Sequence, residues 1–585
     1  MLRNWNQRKS ALFVLLSILA VGAFFRLQNT NWDSHFHLHP DERFLAMVAN
    51  DTRLPDTIQS YLSQDTSPLN PRNVKFDFFV YGTFPITLVK TFAALLDKDA
   101  YGPLTIIGRT IMALIDACVI LVVFKSTQLF AQLFGWSKKL PYWAAFAYAT
   151  FVLPIQLSHF FTSDPIVTFC IALALYLGYT YSKKPTLYLV AASGVVFGIA
   201  LSAKLNALLT LPSIIVLFSA FEKLWQIFTK RQWSNLPAYA FKLLGRMLLF
   251  ALCAYVTVRL GDPYVFASAS IFDPTIEPRF LANIAQLKLL EKPDAQFPPA
   301  IQWLTTEPIL FPLNSLIFWG IGIPASLLAV VGLIPLYKSR KKILAHPEIL
   351  LSVLGMIAVF LYQGMQFAKA MRYFYLLYPL LAILVGLGAV QFYQLAKKTV
   401  HKQVLFVALS SALLLWPLMF SAIYQRPHSR ITASTWLANN LPENATVLVE
   451  HWDDALPLSG TAPDRPDLTM LELPVFDPDT QAKEDTFERL TAEADVIVLS
   501  SNRGWGSIGT VPERFPFTSR WYGSLLSNRS EFRKVAEFTS YPSLDYLGIP
   551  LTFPDDASEE FFTVYDHPKV MVFMKRSQRP VRFVQ

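Results

Sequence analysis

The stretch "HPDERF" (39–44) sets two carboxylates, Asp41 and Glu42, side by side just after a long apolar run. A third, Asp164, closes the short polar loop "SHFFTSD" (158–164), which also holds His159. A carboxylate can take the proton of a hydroxyl as that hydroxyl attacks. The low dielectric beside a membrane would raise its pKa toward working pH. A solvated loop acid is the ordinary explanation of any one of these residues. Two such sites at the ends of apolar runs, on one face, are harder to explain that way.

Cations form the second group: Lys204 in "SAKLNALL", Lys369 and Arg372 in "AKAMRYFYLLYP", and Arg259 in "VRLGDPYVF". On an outer membrane face they run against the positive-inside bias. Snorkelling to lipid headgroups explains such charges; binding a lipid phosphate is the alternative. "HFHLHPD" alternates His35, His37, His39 and Asp41, which an extended strand would align like metal ligands. Incidental loop histidines are the commoner reading, so His37, His39 and His159 stand only as minor metal candidates. These residues point to no definite cofactor, and a divalent metal is the one they leave open. Arg109 and Asp116, seven residues apart, share a helix face and read as a structural ion pair inside a bundle.

These groups need elements to hold them. Of 585 residues, 53% are hydrophobic and only 16% charged, against roughly 25% charged in soluble chains. Apolar runs near the roughly 20 residues that span a bilayer recur at 11–28, 106–124, 141–157, 165–182, 186–203, 207–222, 243–261, 308–336, 347–366, 373–396 and 403–424. The protein is therefore a polytopic α-helical membrane protein of about eleven spans. The first run is read as a retained helix rather than a cleaved signal, because so many follow it. The net charge of +9 sits in short loops, as a topology determinant does, and implies no nucleic acid. Basic segments at the N-terminus, 125–139, 182–185, 222–233, 337–342 and 396–402 fall on one side if the run 79–97 does not cross. Its Lys90 would cost about 2.5–3.5 kcal/mol at the bilayer centre, so 79–97 is expected to lie along the outer interface. The N-terminus is then cytoplasmic, in the cell membrane if the source is prokaryotic. The loop 29–105, the loop 262–307 and the tail from 426 are outside.

The tail has a different texture. "ASTWLANNLP" reads as a helix, "ATVLVEHW" and "ADVIVLSS" as buried strands, and 560–575 as a hairpin. Residues 426–585 are expected to form an extracytoplasmic α/β domain, and 1–425 the transmembrane domain. Cys118, Cys170 and Cys253 all lie in apolar runs, so no disulfide is expected in the tail. Asn50, Asn444 and Asn528 match the short glycosylation acceptor pattern.

Taken in order, "HPDERF", "TSDPIVTF", "SAKLNAL" and "RYFYLLYP" resemble the motifs of the GT-C class of membrane glycosyltransferases, in the branch of the protein O-mannosyltransferases and the lipid A aminoarabinose transferase. The likeness covers the layout of residues 10–425. It implies a polyprenyl-phosphate-linked sugar as donor. It also implies Asp41 as base, with Glu42 and Asp164 positioning donor or acceptor, and Lys204 and Arg372 as partners of the donor phosphate. The expected activity is inverting transfer of a hexosyl or pentosyl group to a hydroxyl of a protein, lipid or glycan on the non-cytoplasmic face. The tail matches no acceptor-reading module of that branch. A transporter or lipid flippase would instead scatter charges through the spans and show internal symmetry. A non-enzymatic scaffold would leave Asp41 dispensable.

Overall fold

A computed structural model describes residues 2–295, 297–461 and 463–576. Among them, seven helices are long and apolar enough to cross a membrane, and two bent pairs bring this to nine if each counts as one span. Shorter apolar helices, Leu187–Ala203 and Leu205–Phe218, fill the places of two further runs. The outward faces carry exposed Phe241, Leu244, Leu248 and Leu252 on one helix and Leu327, Val330 and Leu333 on another. Such a surface suits lipid and not water. Where helices cross, small residues let backbones approach. A Cβ on Gly388 would fall 1.8 Å from the Leu328 carbonyl oxygen, and one on Gly332 would fall 2.1 Å from that of Leu384. These two reciprocal contacts lock Ile323–Lys338 against Tyr378–Leu395.

The longest helix, Tyr101–Phe134, has 34 residues and rises about 51 Å, well beyond a hydrocarbon core of about 30 Å. It ends at Gly135, whose φ of 72° is a left-handed cap. Basic loops gather at that end. Lys342 Nζ donates to the Phe134 carbonyl (3.0 Å), Trp136 Nε1 to Ser339 Oγ (2.8 Å), Lys183 Nζ to Gln132 Oε1 (2.7 Å) and Lys139 Nζ to the Tyr393 hydroxyl (2.9 Å).

Two expected spans are not straight. Leu140–Thr150 and Val152–Ser158 meet at 54°, where Pro154 cannot donate to the Thr150 carbonyl and its ring crowds it. The run 308–336, expected as one span, is Leu310–Gly320 and Ile323–Lys338 at 115°. Gly322 there has φ 80°, and Pro324 follows at the new helix start. The run 79–97 holds one helix, Phe84–Leu95, of 12 residues. At about 18 Å it is too short to cross. Its Lys90 is buried and paired with Asp99 at 3.4 Å.

The tail is a doubly covered sheet of β1 (Thr446–Glu450), β2 (Thr469–Leu473), β3 (Val496–Leu499), β4 (Phe532–Phe538) and β5 (Val570–Lys575), in the order β2-β1-β3-β5-β4. β1 runs parallel to β2 and β3, and β5 antiparallel to β3 and β4. Alternation splits the core as a pleated strand must. Leu448, Ile497 and Phe573 face the helices Gln481–Glu493 and Pro516–Leu526, while Val447, Val498 and Val572 face Ser429–Asn440. The hairpin expected over 560–575 does not form. β5 pairs with β4 and β3, and residues 559–567 leave the sheet to pack into the membrane bundle, with Phe562, Val564 and Tyr565 in its core.

Candidate active site

Each carboxylate of interest opens a helix. Asp41 and Glu42 lie in the first turn of Pro40–Asp51, with Pro40 at its first position; His39 caps it, its Nδ1 accepting from the Glu42 amide at 3.3 Å. Asp164 starts Asp164–Lys183, followed by Pro165. Proline preset for the first turn and acids at the positive helix end are the local reasons for both starts. Lys204 sits in the extended break between Leu187–Ala203 and the 3-10 turn Leu205–Thr210. Arg372 lies in the first turn of the 3-10 helix Met371–Leu377.

These four side chains form two facing ion pairs. Arg372 donates to Asp41, and Lys204 Nζ lies 2.8 Å from Asp164 Oδ1. The pairs meet at the Tyr373 ring, which lies 5.7 Å from the Arg372 guanidinium carbon, and Lys204 acts electrostatically on Asp41, as Asp164 does on Arg372. Tyr81 stands against Asp41, and the Tyr373 ring lies 5.9 Å from Lys204 Nζ. Gly82 holds Tyr81 there, its N–H donating to the Ala203 carbonyl at 3.2 Å. A Cβ on Gly82 would strike the Ser202 carbonyl. Arg372 Nε is buried and makes no hydrogen bond among the described residues. Glu291, after the helix Pro278–Leu290 of loop 262–307, feels both Arg372 and Lys204.

The expected rise of the Asp41 pKa does not occur. Burial pushes it up, but the Arg372 guanidinium beside it pulls harder, and the carboxyl lies well below the usual range. A carboxylate held this way is a poor proton acceptor while the guanidinium stays beside it.

Glu42 points elsewhere. It is fully buried, with Oε2 3.0 Å from Arg109 Nε and 2.6 Å from the Phe161 amide, which donates to it. Arg109 also grips Asp33 at 2.7 and 3.0 Å. Burial raises the Asp33 carboxyl, but Arg109 outweighs it and brings it down to about 2. The expected Arg109–Asp116 pair is therefore absent. Seven residues are about 10.5 Å of helix, too far for a direct contact, and each charge has another partner. Asp116 accepts from Arg26 at 2.5 Å, from Tyr148 at 2.6 Å, and from Tyr375.

Two of the expected cations lie apart from the ion pairs. Arg259 stacks on Phe266 at 4.2 Å and donates to the Ser268 and Ser270 carbonyls; its Nε and Nη1 have no partner among the described residues. Lys369 donates to Thr306 Oγ1 (3.0 Å) and the Phe367 carbonyl (2.9 Å). The histidines disperse. Left-handed backbone at Ser34, His35 and His37 breaks the extended alternation that would have aligned them. His37 stacks on Tyr101, His39 lies between Phe160 and Tyr565, and His159 stacks on Tyr424 at 3.8 Å. Among the described residues no three His, Cys, Asp or Glu side chains are grouped to hold a metal.

Sequence reasoning missed the strap 553–567. Gln156 Nε2 donates to the Phe562 carbonyl (2.7 Å) and Asp566 Oδ2 (3.0 Å), and the Tyr424 hydroxyl donates to the same carboxylate at 3.0 Å. His567 lies between Asp566 Oδ1 (2.5 Å) and Asp555 Oδ2 (2.8 Å). Burial lowers the imidazole pKa, but the two carboxylates raise it to about 10. A raised pKa contributes stability that is complete below the ordinary value of 6.5 and is lost as pH rises through the folded one. His567→Gln should therefore melt below the parent at pH 6, with the gap narrowing toward pH 10. Thermal unfolding across that range measures it, and a pH-independent gap would contradict a charged His567.

The tail also reaches the Asp41 helix: Arg43 Nη2 lies 2.7 Å from Asp454 Oδ1, and Arg430 Nη1 lies 2.7 Å from Oδ2 of the same residue.

No family model and no curated protein matches the sequence. Solved structures match by shape. The archaeal oligosaccharyltransferase AglB from Archaeoglobus fulgidus, in complex with an inhibitory peptide and a dolichol-phosphate, aligns over 98% of this chain and 89% of its own, with a TM-score of 0.51 at 12% identity. Its apo form aligns over 96% and 88%, also at 0.51 and 12%. ArnT from Cupriavidus metallidurans bound to undecaprenyl phosphate aligns over 98% and 99%, with a TM-score of 0.44 at 12% identity. The chain is an integral membrane protein with the GT-C fold and a C-terminal α/β domain.

Proposed function

We propose that this chain is a membrane glycosyltransferase that moves a hexosyl or pentosyl group from a polyprenyl-phosphate donor to an acceptor hydroxyl of a protein, lipid or glycan. The observation that carries this is the facing of Asp41–Arg372 and Asp164–Lys204, with Arg372 Nε buried and unpartnered. A guanidinium with a spare donor suits two-point binding of a phosphate. The fold adds support, since the Archaeoglobus protein that shares it was solved with a dolichol-phosphate.

The donor phosphate takes Arg372 and Lys204 from their carboxylates. Asp41, relieved of its guanidinium, gains basicity and accepts the acceptor's proton. The acceptor oxygen bonds to the anomeric carbon as the bond from that carbon to the phosphate oxygen breaks, and the electron pair leaves with the lipid phosphate. Direct displacement inverts the centre. Arg372 and Lys204 meet the growing charge on the leaving group. Asp164 holds Lys204, Glu42 fixes the loop that carries Asp164, and Lys369 and Arg259 add positive potential around the donor's path.

The decisive assay incubates purified protein with radiolabelled polyprenyl-phosphate sugars and a membrane extract, then identifies what is labelled. Label moved across vesicles with no acceptor product would favour a flippase, and no transfer of label from any donor would favour a scaffold.

We place the N-terminus in the cytoplasm and the site and tail outside. The basic loops cluster at the end of the bundle away from Asp41, which supports this under the positive-inside rule. In a chain stripped of Cys118, Cys170 and Cys253, a membrane-impermeant maleimide should label Ser459→Cys in intact cells. It should reach Lys341→Cys only after permeabilisation. The reverse pattern would invert the topology.

A further inference from the structure

The helix that carries Arg372 is held from outside the bundle. Met371, at its first position, donates its N–H to both oxygens of Glu559, at 2.9 and 3.0 Å, across 188 residues of chain. Glu559 is 5% exposed. Two residues on, the Phe561 ring lies 5.5 Å from the Arg372 guanidinium, and Phe561 in turn stacks on Tyr565 with ring centroids 5.8 Å apart. The strap bearing these groups is pinned on both sides. Arg503 Nε of the tail lies 2.6 Å from Glu560 Oε1, and Gln156 of the bundle holds the Phe562 carbonyl at 2.7 Å. From within the bundle, the Tyr375 hydroxyl donates to Asp116, three residues along from Arg372.

A 3-10 turn of seven residues has weak hydrogen bonds of its own. Its first N–H groups have no partner in the turn, and the Glu559 carboxyl satisfies that of Met371. We propose that Glu559 is a positioning residue for Arg372, so that the C-terminal domain sets the reach of the cation that binds the donor phosphate. This rests on the reading of Arg372 as a donor-phosphate ligand. It gives the α/β tail a part in donor binding, whatever it does for the acceptor.

The test is the affinity of the purified full-length protein for undecaprenyl phosphate, measured for Arg372→Ala, Glu559→Ala, Glu559→Gln and the double variants with Arg372→Ala. Loss of this buried hydrogen bond should weaken binding about tenfold in Glu559→Ala. Glu559→Gln keeps the volume and one acceptor oxygen, and should weaken it about threefold. Neither should weaken it further once Arg372 is Ala, because the effect passes through that side chain. The acceptor KM should not move. If Glu559→Ala does not fold, the Gln variant and its double decide. Wild-type affinity in Glu559→Gln, or losses that add to that of Arg372→Ala, would overturn the positioning role alone. Wild-type affinity in Arg372→Ala would overturn the reading of the donor site itself.

Discussion

Asp41→Asn should fold, insert and hold its donor at least as tightly as the parent, yet lose about 10²–10⁴-fold in transfer rate. The two halves of that result have separate causes. The rate falls because an amide cannot accept the acceptor's proton. Donor binding improves because Arg372 loses its resident carboxylate and no longer has to leave one anion for another. A residue that merely supported the fold would weaken binding and rate together. A carboxylate that repelled the phosphate without taking a proton would raise affinity and leave the rate alone. Donor titration beside single-turnover transfer separates these cases. Near-full turnover would remove Asp41 from the chemistry and pass the role of base to Asp164.

The pairing of Asp41 with Arg372 shows what was readable in the sequence and what was not. Both residues stand out locally: an acid pair after a span, and an arginine at the start of another. Their 331-residue separation hides the contact and, with it, the sign of the Asp41 shift. Burial alone argues for a raised pKa, and only the partner reverses it. The apolar runs gave away the helices because a bilayer leaves the backbone no other way to satisfy itself. Composition is blind to bends, so 308–336 passed for one span. The sequence "GIGIP" at 320–324, with two glycines and a proline, was the available signal. The strap misled for a related reason. "EFFTVYDH" is aromatic and β-branched enough to read as strand, but its apolar side chains pack into the core of the helix bundle, where Phe562 meets Trp319 and Phe420. Local pattern reports that a segment will be buried, and it does not report against what.

The C-terminal domain thereby touches both halves of the candidate chemistry. Asp454 holds Arg43, two residues beyond Asp41, and Glu559 holds Met371, one residue before Arg372. Loops of the same domain thus contact the elements that carry the proposed base and the proposed phosphate ligand.

Arg109→Met should be the most damaging single change to the fold, costing about 3–5 kcal/mol. Arg109 is fully buried between Asp33 and Glu42, and its loss leaves two buried carboxyl groups side by side without their cation. The damage would reach the site, because Glu42 also receives the Phe161 amide, three residues before Asp164. Arg109→Lys should rescue little, since a single ammonium cannot fork to two carboxylates as a guanidinium does. Glu42→Gln should be milder than either. It leaves Arg109 matched one to one with Asp33, and its amide oxygen can still accept from Phe161. The triple change Arg109→Met, Asp33→Asn, Glu42→Gln should recover part of the loss, because the cost of the first lies in stranded charge and not in the missing attraction. Yield in membranes and thermal unfolding in detergent give the order: parent, then Glu42→Gln, the triple variant, Arg109→Lys and Arg109→Met. A triple variant no better than Arg109→Met would mean that the shape of the guanidinium, against the Trp32 ring at 4.7 Å, matters more than its charge.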